Sequence, residues 1–210
     1  MISTGIIGTG KVAHLHAVAL QRNPNSNFTA VLGRMPERTQ AFADQYRVKA
    51  YTDLDAYLND SGVQASTIGT PHPAHVDSAV GALELGMHLC IEKPLASSLE
   101  HCDAMLEASK KGNAKIGMVC QRRYYEPVIR VKEAVESGKV GKPILGMVTM
   151  LGWRDQDYYD SDPWRGSWSE EGGGGLVNQA VHQLDLLLWF MGEVDELCGM
   201  WGNLNHPGIE

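Results

Sequence analysis

The sequence predicts an α/β protein: a Rossmann-type, doubly wound parallel sheet at the N-terminus, followed by an incomplete α+β domain with a mostly antiparallel sheet. Three observations carry this reading. An apolar run stops at Gly8-Thr9-Gly10 and a helix-like pattern follows at once, strand-like and helix-like segments then alternate to about residue 120, and beyond Gln121 that alternation ends.

Taken in order, Ile2 to Ile7 is a short apolar strand closed by glycine, and Lys11 to Gln21 has helical spacing. Phe28 to Leu32 is strand-like, and Pro36 to Tyr46 opens with proline and glutamate as helices do. Tyr51 to Asn59 reads as a short helix and Ala65 to Gly69 as a strand. His75 to Leu85 is a helix ended by Gly86, and His88 to Ile91 a strand. Leu99 to Lys111 is a helix closed by Gly112, and Lys115 to Val119 the last strand of the series, so βαβ units and parallel order follow. The second part reads as a helix at Pro127 to Ser137, a long strand at Pro143 to Trp153, and a polar, aromatic loop from Arg154 to Glu171. Four glycines, Gly172 to Gly175, then lead into a helix ending near Met191, and a strand follows at Glu196 to Leu204. The domain boundary is expected between residues 122 and 123, giving domains 1–122 and 123–210.

Composition narrows the class. The 210 residues are 43% hydrophobic and 20% charged with a formal net charge of −7, which disfavours generic attraction to nucleic acid. No apolar run approaches the roughly 18 residues of a membrane span, and the N-terminus leads directly into a fold element rather than a signal peptide, so the cytoplasm is the expected location. Cys90, Cys102, Cys120 and Cys198 form no C-x-x-C pair, which argues against disulfides and zinc. His72 and His75 come nearest to ligand spacing but lack a third ligand nearby, so no metal is expected.

In Gly8-Thr9-Gly10-Lys11-Val12-Ala13, a G-x-G-x-x-A pattern sits between a strand and a helix, the context that gives it meaning. Gly8 allows the tight turn, Gly10 lets the backbone approach a pyrophosphate, and Ala13 keeps the helix near the sheet while free N–H groups face the anion. Gly8, Thr9, Gly10, Lys11 and Val12 are therefore expected cofactor contacts. A carboxylate would normally end the second strand to hold the ribose 2′-OH of NAD, whereas here stand Gly33-Arg34 with Arg38 beyond. An arginine there meets a 2′-phosphate, which favours NADP slightly over NAD; stacking of Arg34 on adenine with NAD in place is the alternative.

Three further stretches, Gly69-Thr70-Pro71-His72-Pro73-Ala74-His75, Glu92-Lys93-Pro94 and Gly172 through Leu176-Val177-Asn178-Gln179-Ala180-Val181-His182 to Asp185, together resemble the Gfo/Idh/MocA oxidoreductases, the group of glucose-fructose oxidoreductase and inositol dehydrogenase. The resemblance spans the chain with the motifs in the family's order. It implies an NAD(P)-dependent oxidoreductase that transfers a hydride between nicotinamide and a secondary hydroxyl or ketone of a sugar, polyol or nucleotide sugar. It adds Thr70, Pro71, His72, His75, Glu92, Lys93 and Gln121 to the expected cofactor contacts and gives Lys93 a catalytic role.

The residues support these roles independently. Lys93 ends a strand on the side where a doubly wound sheet binds its ligand, and a cation there stabilises alkoxide character as hydride leaves. On a helix after Gly175, Asn178, His182 and Asp185 are spaced i, i+4 and i+7, with Val177, Val181, Leu184 and Leu188 as the apolar side. His182 can take the hydroxyl proton, Asn178 can orient the substrate, and Asp185 either orients the imidazole or serves the structure. Inositol dehydrogenase-like members carry aspartate at Asn178, so the proton role rests on His182 and Lys93. UDP-sugar dehydrogenase-like members share N-Q-x-x-H, which leaves the substrate open. Arg123, Tyr124, Arg154, Tyr158, Trp164, Arg165 and Gln179 supply guanidinium groups, aromatic planes and an amide suited to a sugar or an anionic group.

Family members are longer, with a second domain that supports oligomerisation. The sequence is therefore expected to be truncated, and homo-oligomers to form if that domain is complete. The competing class is a non-catalytic dinucleotide-binding protein or an inactive relic of such an enzyme.

Overall fold

The computed structural model describes residues 1–206, 208 and 209; Pro207 and Glu210 lie outside the described residues. The chain divides into two compact units, one from Met1 to Val119 and one from Cys120 onward.

The first unit is built on six parallel strands, β1 (Ile2–Ile7), β2 (Ser26–Leu32), β3 (Lys49–Tyr51), β4 (Ala65–Ile68), β5 (His88–Ile91) and β6 (Ile116–Met118), in the order β3-β2-β1-β4-β5-β6. Between them run α1 (Lys11–Arg22), α2 (Pro36–Tyr46), α3 (Leu54–Asp60), α4 (His75–Glu84) and α5 (Leu99–Lys111). Side chains alternate across a strand, so neighbouring residues of β1 feed two cores. Ile6 packs with Ala13 and Ala17 of α1 and Phe42, Ala43 and Tyr46 of α2. Ile7 packs on the other face with Tyr57, Ile68, Leu83 and Met105, from α3, β4, α4 and α5. Both faces covered by helices is the condition that lets an all-parallel sheet exist.

The first unit departs from the sequence reading at one point. Tyr51 belongs to β3, which pairs Ala30 with Lys49 and Leu32 with Tyr51, and the helix begins only after Asp53 caps it through the Ala56 N–H at 2.8 Å. A three-residue strand has no periodicity of its own; its neighbour defines it.

The second unit holds a 3-10 turn at Gln121–Tyr124 and the helices α6 (Glu126–Glu136), α7 (Gln156–Asp160), α8 (Trp168–Glu171), α9 (Gly174–Asn178) and α10 (Val181–Met191). Here the structure corrects three expectations. Neither Pro143 to Trp153 nor Glu196 to Leu204 forms a strand, and no sheet exists among the described residues of this unit. A strand is held by its pairing partner, and these segments have none; Ile144, Leu151, Met200 and Leu204 are 92%, 95%, 99% and 97% exposed. The supposed loop from Arg154 to Glu171 contains α7 and α8, whose N-termini are capped by Asp155 and Ser167. The helix expected to run unbroken to Met191 is interrupted at Gln179-Ala180, both of whose N–H groups return to the Gly175 carbonyl, and the glycines before it adopt positive φ at Gly172, Gly173 and Gly174. Leu184 and Leu188, expected to pack, are 36% and 48% exposed. Among the described residues no helix is long and apolar enough to cross a membrane.

Candidate functional site

In the sheet, β1 lies between β2 and β4, so chain progression reverses direction between β1 and β4. At such a switch point the loops leaving the strands diverge and open a crevice. The turn after β1 carries Gly8-Thr9-Gly10, and the turn after β4 carries Gly69-Thr70. The Gly69 N–H donates to Ile7 O at 2.9 Å, tying the second turn to the end of β1, and the Gly8 N–H donates to Leu32 O at 2.8 Å, tying the first turn to the end of β2. Gly8 has φ +108, and a Cβ there would stand 3.0 Å from the backbone C and O of Gly69. A Cβ at Gly10 would meet only Gly69 O at 3.7 Å, an ordinary contact, so the protein itself leaves room for a side chain there.

Gly10 caps α1 without a side chain, and no acidic residue occupies the first turn. The N–H groups of Lys11 and Val12 thus begin a helix with no anion of its own opposite them. The hydroxyl oxygen of Thr70 is buried and has no hydrogen-bond partner among the described residues. An uncapped helix start, a glycine with room at its Cα and an orphaned hydroxyl fit a dinucleotide pyrophosphate.

The neighbouring residues divide. Gly33 must be glycine, since a Cβ would fall 2.3 Å from Thr39 Oγ1 and 2.9 Å from Thr9 Cγ2. Arg38 Nε donates to Thr9 O at 3.1 Å and braces the glycine turn. Arg34 is exposed just after β2, with no hydrogen bond or ion pair to any described residue. His75 is fully buried, its ring nitrogens facing Thr70 O at 2.9 Å and Leu95 O at 3.2 Å. The expected cofactor contact at His75 is therefore corrected: a ring with no exposed surface and both nitrogens directed at carbonyls cannot touch a ligand. Burial holds its pKa below the ordinary value, against the opposing hydrogen bonds to the backbone carbonyls of Thr70, Leu95 and Pro94 and the charge of Glu92. His72 is 8% exposed, with its ring 6.0 Å from that of His75.

Glu92 and Lys93 follow β5, and the Lys93–Pro94 peptide bond is cis. His16 of α1 donates from Nε2 to Glu92 Oε1 at 2.9 Å, and the Lys93 N–H donates to Glu92 Oε2 at 3.3 Å. Burial pushes the Glu92 carboxyl upward, yet the His16 hydrogen bond and charge, aided by Lys93, outweigh it and hold the group below the ordinary carboxylate range.

The second unit gathers most of the other candidates into one polar network. Tyr158 Oη accepts from Arg165 Nη1 at 2.5 Å, Gln179 Nε2 at 2.8 Å and Asn178 Nδ2 at 3.1 Å. Arg154 Nη2 donates to Gln179 Oε1 at 2.8 Å. The Arg165 and Arg154 guanidinium groups lie 4.3 and 5.2 Å from the Tyr158 ring centroid, and Arg165 also lies 4.4 Å from the Trp164 ring. Beneath this network sits Glu171, 2% exposed, which accepts from Gly166 N–H at 2.7 Å and from the Asn178 amide. Sequence reasoning missed Glu171 and His16; the sole signal for Glu171 was a carboxylate directly before the glycine run.

Two substrate candidates do not join. Arg123 is held by Asp185 in a bidentate pair through Nε and Nη2 and lies 5.2 Å from the Trp189 ring, so that edge of the guanidinium is engaged within the structure. This also settles Asp185 as Arg123's partner through both oxygens. Tyr124 is 80% exposed and no hydrogen bond or ring contact ties it to the network. Gln121 is exposed on the 3-10 turn. His182 lies in the first turn of α10, and the break before that helix removes the continuous helical face expected to align it with Asn178.

Comparison with known proteins gives a consistent result. The family model described as "Oxidoreductase family, NAD-binding Rossmann fold" (GFO_IDH_MocA) matches residues 2–119, and the GFO/IDH/MocA C-terminal domain matches residues 128–210. Oxidoreductase P35 from Formosa agariphila is 28% identical over 200 residues, covering 93% of this chain and 62% of that protein. Inositol 2-dehydrogenase from Rubrobacter xylanophilus is 30% identical over 210 residues, covering 99% and 57%. The crystal structure of the WlbA dehydrogenase from Bordetella pertussis in complex with NADH and UDP-GlcNAcA is 30% identical, with a TM-score of 0.85 covering 91% of this chain and 55% of that one. The chain spans between half and two thirds of the length of these relatives.

Proposed function

The chain belongs to the Gfo/Idh/MocA oxidoreductase family, and we propose that it binds a nicotinamide dinucleotide at the β1/β4 switch point and serves hydride transfer to or from a secondary hydroxyl or ketone of a sugar, polyol or nucleotide sugar. The observation that carries this is the glycine turn before an uncapped α1, walled by Gly69 and the orphaned Thr70 hydroxyl. The dinucleotide, when bound, supplies the hydride acceptor or donor.

The protein's own groups handle the oxygen of the substrate. The Lys93 ammonium donates to that oxygen and stabilises its negative charge as the C–H bond breaks. His182 takes the hydroxyl proton in one direction and returns it in the other, and Asn178, its amide nitrogen held by Tyr158 and Glu171, orients the hydroxyl through its amide oxygen. Arg154, Tyr158, Trp164, Arg165 and Gln179 supply the wall of the substrate pocket. A nucleotide sugar is supported by the Bordetella pertussis relative, solved with UDP-GlcNAcA. Arg34, exposed beyond β2 and without a partner among the described residues, supports NADP over NAD.

The mostly antiparallel sheet expected of the second domain, which the described residues do not form, and the homo-oligomer it would support belong to the same proposal. Exposed apolar side chains at Ile144, Leu145, Met147, Leu197 and Trp201 support it, since pairing partners would give these segments a face to bury.

The test is fluorescence titration with NADH and NADPH, then nicotinamide absorbance with a panel of polyols, sugars and nucleotide sugars that includes UDP-GlcNAcA. Binding plus oxidation of at least one compound is expected; tight binding with no turnover of any favours the non-catalytic class. Lys93→Ala should lower turnover by about 10²-fold or more while dinucleotide affinity stays within about twofold, and equal turnover removes Lys93 from the mechanism. Arg34→Ala should weaken NADPH binding about tenfold and leave NADH unaffected.

A further inference from the structure

Two histidines outside the proposed chemistry grip the turn that carries Lys93, one on each side. A carboxylate can only accept, so His16 Nε2 carries the proton in its 2.9 Å contact with Glu92 Oε1, and both side chains are 16% exposed. The second carboxylate oxygen holds the Lys93 N–H at 3.3 Å. Beyond the cis Lys93–Pro94 bond, the Leu95 carbonyl faces His75 Nδ1 at 3.2 Å, while His75 Nε2 faces Thr70 O at 2.9 Å.

The elements these contacts join give the arrangement its meaning. His16 stands on α1, the helix that begins at the glycine turn, and Thr70 forms the opposite wall of the crevice. The last sheet bond before residue 93 is the Glu92 N–H to Ile68 O at 2.9 Å, and beyond it the backbone is irregular until α5 begins at Leu99, so side-chain contacts join the sheet in setting the place of residue 93. A charged carboxylate taken from water is kept there by its donors, and Glu92 has one on the helix and one on the turn.

We infer that His16, acting through the Glu92 carboxylate, is a positioning residue that registers Lys93 against the dinucleotide-binding helix, with His75 anchoring the far side of the same turn. This rests on the role proposed for Lys93. A reacting group displaced by about 1 Å loses roughly 10²-fold in rate, so a tie of this kind acts on turnover more than on binding.

The experiment compares the parent chain with His16→Ala and His16→Gln, the latter placing an amide Nε2 near the imidazole nitrogen. His16→Ala should lower kcat about ten- to hundredfold with dinucleotide KM within about twofold, and speed hydrogen exchange of the Lys93 amide about tenfold. His16→Gln should restore both. Unchanged Lys93 exchange and kcat in His16→Ala would overturn the inference, as would a His16→Gln variant as impaired as alanine. If no compound is turned over by the parent, the oxidoreductase reading fails separately. Amide exchange then decides alone: faster in alanine and restored in glutamine upholds the grip, and unchanged rates overturn it.

Discussion

Asp185 closes both carboxylate oxygens on Arg123, with Nε to Oδ2 at 2.9 Å and Nη2 to Oδ1 at 2.6 Å. The pair also sets the state of a third group. Burial first, then the hydrogen bond and charge of Asp185, push the Cys120 thiol up to about 11, with partial relief from Arg123. Asp185→Asn should make Cys120 more acidic while leaving it above the ordinary thiol value, because burial is the larger cause. The pH dependence of iodoacetamide alkylation, with the other three cysteines replaced by serine, measures this; an unmoved midpoint would refute it. The stability loss should be only about 1 kcal/mol, since the Arg123 side chain is 38% exposed to solvent.

Gly8 and Gly10 should separate stability from binding. Gly8→Ala forces a side chain into φ +108 and against the Gly69 backbone at 3.0 Å, so thermal unfolding should show a loss of about 1 to 3 kcal/mol. Gly10→Ala meets nothing closer than 3.7 Å and should fold like the parent, yet lose dinucleotide binding because its Cβ occupies the pyrophosphate approach. Parental NADH affinity in Gly10→Ala would place the pyrophosphate elsewhere.

Glu171 is a buried acceptor for two donors, the Gly166 N–H and the Asn178 amide. Glu171→Ala takes the acceptor from the Gly166 N–H and one of two acceptors from the Asn178 amide nitrogen, and should cost about 1 to 3 kcal/mol by denaturant unfolding. A loss below about 0.5 kcal/mol would mean that the network is not holding the second unit together.

Acid should weaken the first unit in two stages. The His75 pKa is lowered in the folded state, so as pH falls through the ordinary value of 6.5 the unfolded chain takes up a proton that the buried ring refuses, and stability declines. Glu92 is held below its ordinary 4.5; its contribution is present above that value and disappears as pH falls through the folded pKa. His75→Gln should remove the first stage only. Urea midpoints between about pH 7.5 and about pH 5.5 report it, and an equal slope in variant and parent would show that His75 does not titrate on unfolding.

The sequence alone determined the βαβ order, the glycine turn and the position of Lys93 after a strand, because each is written in local pattern: apolar periodicity, a glycine where φ must be positive, a motif between two elements. Tertiary structure decided what depends on partners distant in sequence. β3 is a strand because β2 pairs with it, one edge of Arg123 is engaged because Asp185 lies 62 residues away within reach, and His75 is withdrawn from any ligand because Thr70 and Leu95 enclose it. The same cause lies behind Pro143 to Trp153 and Glu196 to Leu204, which read as strands in the sequence but have no pairing among the described residues. Helices and turns close their hydrogen bonds within a few residues; strands, ion pairs and buried imidazoles close theirs across the chain, and only the folded chain shows with whom.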